Sequence, residues 1–120
     1  MEESAFKEII GRYGLNSEDI YSDLSVLGLV LFFDRRQDLS IAIECHKSSN
    51  IPMVLFNKRD KGKIYSLSKP LKYFTEGTLQ SLKNGNVKFA RKRLLLKSEF
   101  SVEVYDNSNE LLYTVSKSGT

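Results

Sequence analysis

Asn86–Lys97 reads NVKFARKRLLLK, and the fold turns on whether this stretch is a strand or a helix. As a strand, its period of two puts Val87, Phe89, Arg91, Arg93 and Leu95 on one face. Lys88, Ala90, Lys92, Leu94 and Leu96 then occupy the other. As a helix capped by Asn86, it gathers Val87, Ala90, Leu94 and Lys97 on one side and Lys88, Arg91, Lys92 and Leu95 on another. Neither pattern separates apolar from charged cleanly. The helix reading yields helix–turn–helix plus a hairpin, a winged-helix-like ending. The strand reading extends an antiparallel sheet, and we adopt it because Leu94-Leu95-Leu96 suits a segment buried on both faces.

Working outward, the next segment is the clearest hairpin in the chain. Ser101–Tyr105 and Leu111–Val115 flank Asp106-Asn107-Ser108-Asn109-Glu110, whose short polar side chains favour a turn. Upstream, Pro70–Lys83 reads as a helix, with Leu71, Phe74, Leu79 and Leu82 on one side and Asn84-Gly85-Asn86 as its stop. Ile51–Phe56 and Lys63–Leu67 form a second hairpin around the charged turn 57–62. Before it, Ser25–Phe33 leads through Asp34-Arg35-Arg36-Gln37-Asp38 into Leu39–Cys45. There Leu39, Ile41, Ile43 and Cys45 alternate with Ser40, Ala42 and Glu44, as a half-buried strand requires. Gly28 inside the first of these runs marks either a bulge or a close approach, the latter as a flat patch where another chain packs.

Ser4–Tyr13 opens the chain as an amphipathic helix through Phe6, Ile9, Ile10 and Tyr13. Asn16-Ser17-Glu18-Asp19 reads as a fresh cap, with Ile20, Tyr21 and Leu24 predicting a further helical turn or two. The fold class expected is α+β. It comprises an N-terminal helix, an antiparallel sheet of about six or seven strands built from hairpins, and a second helix around 70–83 packed on one face. The 120 residues fit a single domain, 1–120, with 116–120 as a frayed tail.

Charge is distributed unevenly. Residues 57–97 hold twelve Lys or Arg against two acids, a net +10, whereas 1–56 sum to −4 and 98–120 to −3. Clustering of one sign attracts polyanions or acidic protein surfaces. Its densest parts are Lys58, Arg59, Lys61 and Lys63, read as a flexible turn, and Lys88, Arg91, Lys92 and Arg93. Tyr65, Tyr73 and Phe89 are interleaved with them. Cations that follow a phosphate backbone beside rings that stack on bases are the pattern of single-strand nucleic-acid binding.

The leading expectation is therefore non-enzymatic binding of nucleic acid with little sequence specificity. The alternative is a protein-binding module, of immunity, anti-defence or viral accessory type, that blocks an acidic partner. A homo-oligomer through a sheet edge is compatible with either. Exposed rings favour nucleic acid; buried rings beside a flat apolar patch favour a protein.

Chemistry of other kinds has little support in the residues. Cys45 and His46 are adjacent on one strand, so they point to opposite faces and cannot act as a pair. One Cys and one His suggest no metal site, and neither GxGxxG, a P-loop, GxSxG, HExxH nor CxxC occurs. Asp34 and Asp38, like Asp106 and Glu110, flank turns, where carboxylates serve local hydrogen bonding. No enzyme and no cofactor is expected. A lone cysteine, no leader after Met1 and no apolar run longer than Val26–Phe33 lead to an expectation of an intracellular protein, cytoplasmic or nuclear, without a membrane span.

Overall fold

A computed structural model describes residues 1–95 and 97–117, and the side chains of all of these except 92–94, 97 and 98. Helix α1 spans Glu3–Arg12, followed by a 3-10 turn at Ser17–Asp19. Strands β1 (Tyr21–Ser22), β2 (Val26–Asp34), β3 (Leu39–His46), β4 (Met53–Asp60) and β5 (Lys63–Pro70) make one antiparallel sheet in chain order. A second 3-10 turn, Leu71–Tyr73, leads to helix α2, Glu76–Asn84. Strands β6 (Asn86–Leu94), β7 (Lys97–Tyr105) and β8 (Leu111–Ser116) form a separate three-stranded meander.

The α+β class and both helices agree with the sequence reading, but the single sheet of six or seven strands is corrected to two sheets. The cause is α2: it separates β5 from β6, and among the described residues β6 then pairs with β7 alone. The strand reading of 86–94 holds, with Val87 and Phe89 turned inward. Its rationale does not hold in full. Leu95 lies in the β6–β7 turn and is wholly exposed, so the three leucines do not form one segment buried on both faces.

Three boundaries also move. Pro70 ends an edge strand, where its missing N–H costs nothing, and the helix waits for Thr75. That residue accepts from the Thr78 N–H while the Thr78 hydroxyl faces the Thr75 N–H, a reciprocal cap. Asn16 does cap, accepting from the Glu18 N–H at 3.0 Å, but only for a three-residue turn. Tyr21, expected on a helix, is instead in β1. Of the expected tail 116–120, Ser116 completes β8, and 118–120 lie outside the described residues.

One interior serves both sheets. Alternation along β3 and β4 sends Leu39, Ile41, Ile43, Cys45, Val54 and Phe56 inward. Phe6 and Ile10 of α1, Leu79 and Leu82 of α2, and Val87, Val102, Val104 and Val115 meet them there. The opposite face of the larger sheet leaves Val30, Phe33 and Ile64 exposed. Register sets Val30 beside Ala42, Leu55 and Ser68, and Phe33 beside Ser40, Asn57 and Ser66.

Gly28 is neither at the bulge nor bare for another chain: a ring of its own chain approaches it. The β2 irregularity falls between Val30 and Phe32, whereas Tyr21 lays its ring on Gly28 and donates its hydroxyl to the Glu44 carboxylate. A Cβ on Gly28 would meet the ring at 2.1 Å. Gly28→Ala is therefore expected to expel Tyr21 and cost about 1–2 kcal/mol in urea unfolding. Burial, and then the bond to Glu44, raises the Tyr21 phenol pKa, so the same variant should let it titrate earlier, which ultraviolet absorbance reads.

A second titration follows from Tyr113, whose hydroxyl donates to the Thr78 carbonyl at 2.7 Å. Burial pushes this phenol up to about 12, while an unfolded tyrosine ionises near 10. Its contribution to stability is complete below pH 10 and is lost as pH climbs toward 12. Tyr113→Phe should lose less of its urea midpoint across that interval than the wild type does.

Candidate interaction site

The β4–β5 hairpin is tighter than a flexible basic loop. Only Lys61 and Gly62 form its turn, both with positive φ (50° and 79°), the mirror-type geometry that matches strand twist. Lys58 and Arg59 belong to β4 and Lys63 to β5, so their backbones are fixed by pairing.

Strand β6 crosses this hairpin. The Gln37 side-chain amide, at the β2–β3 turn, donates to the Val87 carbonyl at 2.7 Å and accepts from the Phe89 N–H at 3.0 Å. Lys58 on β4 stands 5.2 Å above the Phe89 ring and donates to the Gln37 carbonyl. Arg91 then reaches β5, donating to the Tyr65 hydroxyl at 3.1 Å. Residues along β6 thus meet the β2–β3 turn, β4 and β5 in succession, so the smaller sheet lies across the strands of the larger one.

Where they cross, three rings pack together. Tyr65 lies 5.5 Å from Phe89 and 6.2 Å from Phe100, and the two phenylalanines are 5.4 Å apart, all tilted. Tyr65 is only 9% exposed and Phe89 is half-buried. Lys63 covers the Tyr65 ring at 5.0 Å. Contacts of this type contribute roughly 0.5–2 kcal/mol each. Two of the three rings read from the sequence as base-stacking groups, Tyr65 and Phe89, are here packed against the interior and roofed by lysines.

Of the sequence-predicted residues, the fold brings together Lys58, Lys63, Tyr65, Phe89 and Arg91. Arg59 and Lys61 are exposed nearby on the same hairpin. Lys88 is on the opposite face of the small sheet, in register with Glu103 and 4.9 Å from the Tyr105 ring. Tyr73 is exposed beyond the far end of β5, with Lys72 5.5 Å from its ring. Lys92 pairs in register with Glu99, and Arg93 with Ser98; the side chains of Lys92 and Arg93 lie outside the described residues.

Gln37 has no sequence signature, since an amide in a polar turn looks like any other. The same holds for a hollow of about 270 Å³ at the β5 edge, bounded by Lys63, Tyr65, Ser66, Phe100, Glu99 and Lys117. Ser66, Leu67 and Lys117 also line a neighbouring hollow of about 300 Å³ that reaches Leu55 and Ser68.

The turn carboxylates are accounted for locally. The Gln37 amide, with the N–H groups of Arg36 and Gln37, holds the Asp34 carboxyl below its ordinary range. Asp106 accepts from the Ser108 and Glu110 N–H groups at 2.8 and 2.9 Å. Cys45 is buried, which raises its thiol pKa, and His46 is exposed. Among the described residues, no group of three or more His, Cys, Asp or Glu could hold a metal ion. Among them, no helix is long and apolar enough to cross a membrane.

Burial of Tyr65 has a measurable consequence. Tyr65→Ala should cost about 3 kcal/mol of unfolding free energy, as for other large buried rings. A solvent-facing stacking ring would cost within about 0.5 kcal/mol.

Comparison of the chain with protein-family models, with curated proteins and with solved structures finds no match.

Proposed function

We propose that this chain is a non-catalytic binding module whose partner is an acidic segment of another protein. The observation that carries this reading is the burial of Tyr65 between Phe89 and Phe100. A single-strand binder needs ring faces free for bases, and here two of the three candidate rings are engaged in joining the sheets. A protein partner needs cations beside apolar anchors instead. Arg59, Lys61 and Lys63 on an ordered hairpin, with Ile64 exposed beside them, meet that requirement. Exposed Phe33 and Val30 on the open face of the larger sheet offer further anchor area.

The basic excess of 57–97 supports a negatively charged partner, although the register of β6 against β7 sets Lys88 opposite Glu103 and Lys92 opposite Glu99. Two of the four bases on β6 therefore stand in register with acids of the same chain. The less compensated cations are on the β4–β5 hairpin, where Asp60 is the one acid between Lys58 and Lys63.

The reading is tested by fluorescence anisotropy with a labelled poly-glutamate peptide and a labelled oligothymidine, each titrated with protein across a salt series. The peptide should bind, and weaken as salt rises through the range where the Debye length falls below about 10 Å. Charge reversal at Arg59, Lys61 and Lys63 should reduce that affinity by about tenfold or more, whereas reversal at Arg91, Lys92 and Arg93 should have the smaller effect. Tight, salt-dependent binding of oligothymidine without peptide binding would return the reading to nucleic acid. No binding of either would remove the charged-partner reading altogether.

A further inference from the structure

Strand β5 is the last of its sheet, and among the described residues no strand pairs with its outer side. Which groups face outward follows from the turn. A two-residue turn at Lys61-Gly62 closes on Asp60–Lys63 as a mutually bonded pair, and bonding alternates from there. The alternation is confirmed at the far end, where the Leu71 N–H donates to the Pro52 carbonyl at 2.9 Å. Lys63, Tyr65, Leu67 and Lys69 therefore spend their backbone groups on β4. Ile64, Ser66 and Ser68 turn their N–H and C=O groups outward.

Proteins blunt such edges with charge, proline or cover. Here the devices stand at the ends: Lys63 at one, Lys69 and Pro70 at the other. Ile64–Ser68 between them carries neither charge nor proline. Across from this stretch lie Glu99, Phe100 and Lys117. The two hollows of about 270 and 300 Å³ run along the edge from Lys63 to Ser68.

We propose that the β5 edge accepts an extended acidic segment of a partner protein as a sixth, antiparallel strand. The inference rests on the acidic-partner reading above and specifies how that partner is held. In a register centred on Ser66, the added residues opposite Lys63 and Lys69 carry carboxylates. Those opposite Tyr65 and Leu67, on the same face, are apolar and pack toward Phe100. Opposite charges across an antiparallel pair stabilise it, and like charges destabilise it. The same rule selects against a second copy of this chain, because a two-fold axis at Ser66 would set Lys63 of one protomer against Lys69 of the other. Glu99 also lines the groove, and its register partner on β6 is Lys92. Main-chain bonds supply affinity in this mode, and the alternate side chains supply specificity.

The test uses two capped, fluorescein-labelled heptapeptides, Glu-Thr-Val-Thr-Val-Thr-Glu and Lys-Thr-Val-Thr-Val-Thr-Lys, each titrated with the full chain to about 1 mM. Amide hydrogen exchange is followed at Ile64, Ser66 and Ser68. The acid-ended peptide should bind about tenfold or more tightly than the lysine-ended one, and exchange at the three amides should slow on binding. Ser66→Pro removes an outward N–H and leaves the backbone bonds to β4 in place, losing there only the Ser66 hydroxyl bond to Asn57, and should abolish the interaction. Equal binding by Ser66→Pro would overturn the edge assignment while leaving the acidic-partner reading intact. Binding of neither peptide would overturn the edge assignment, and the poly-glutamate titration then decides the partner class separately. Should Ser66→Pro fail to fold, exchange in the wild type is decisive, and unslowed amides at bound peptide would overturn the proposal.

Discussion

Among the described residues no strand pairing joins the five-stranded sheet to the three-stranded one, so side-chain packing must hold them together, and it does so most directly where they cross. Tyr65, Phe89 and Phe100 supply the apolar part of that joint. Gln37 supplies the polar part, bonding the β6 backbone at Val87 and Phe89 much as a neighbouring strand would. Two part-buried backbone groups are thereby satisfied, and leaving them unpaired would cost at most the roughly 1–3 kcal/mol each of fully buried ones. Lys58 and Lys63 close over the rings, while Lys58 and Arg91 bond to Gln37 and Tyr65. The joint also fixes where β7 runs, and so places Phe100 and Glu99 along the β5 edge.

This constraint decides what the basic and aromatic residues are free to do. A cation that covers a ring in its own fold is partly committed, and a ring under a cation is closed to a base. Lys88 and Tyr73 escape the joint, but they sit on a different face and beyond the far end of β5, so they do not add to one surface. Summing charge over a segment of chain treats every base as available at once. Folding distributes those bases over two sheets and sets β6 against the acids of β7, so the field outside is shaped by register as much as by composition.

Much of the secondary structure was legible because it is written in local chemistry. Strict alternation in Leu39–Cys45, the Asp106–Glu110 turn and the Phe6/Ile10 spacing each need no distant partner to be read. Misreadings fell where distant contacts won. Tyr21 looks helical beside Ile20 and Leu24, yet its ring has a glycine surface at Gly28 and a carboxylate at Glu44. Asn57–Gly62 looks like a loop because it is polar, yet four of its residues extend β4, and Lys61-Gly62 alone make the turn. Leu94-Leu95-Leu96 looks like core, yet Leu95 is at the turn.

By itself the sequence determined the class of fold, the hairpin rhythm, both helices and the basic bias of 57–97. Each depends on periodicity, capping or composition, which are properties of neighbouring residues. The tertiary structure alone decided that the described strands form two sheets, that Tyr65 and Phe89 belong to the interior, and that β5 is the last strand of its sheet, beside Phe100. Those outcomes depend on which strands meet across long separations. A tyrosine between two lysines reads the same whether its ring faces solvent or a phenylalanine 35 residues away in the chain.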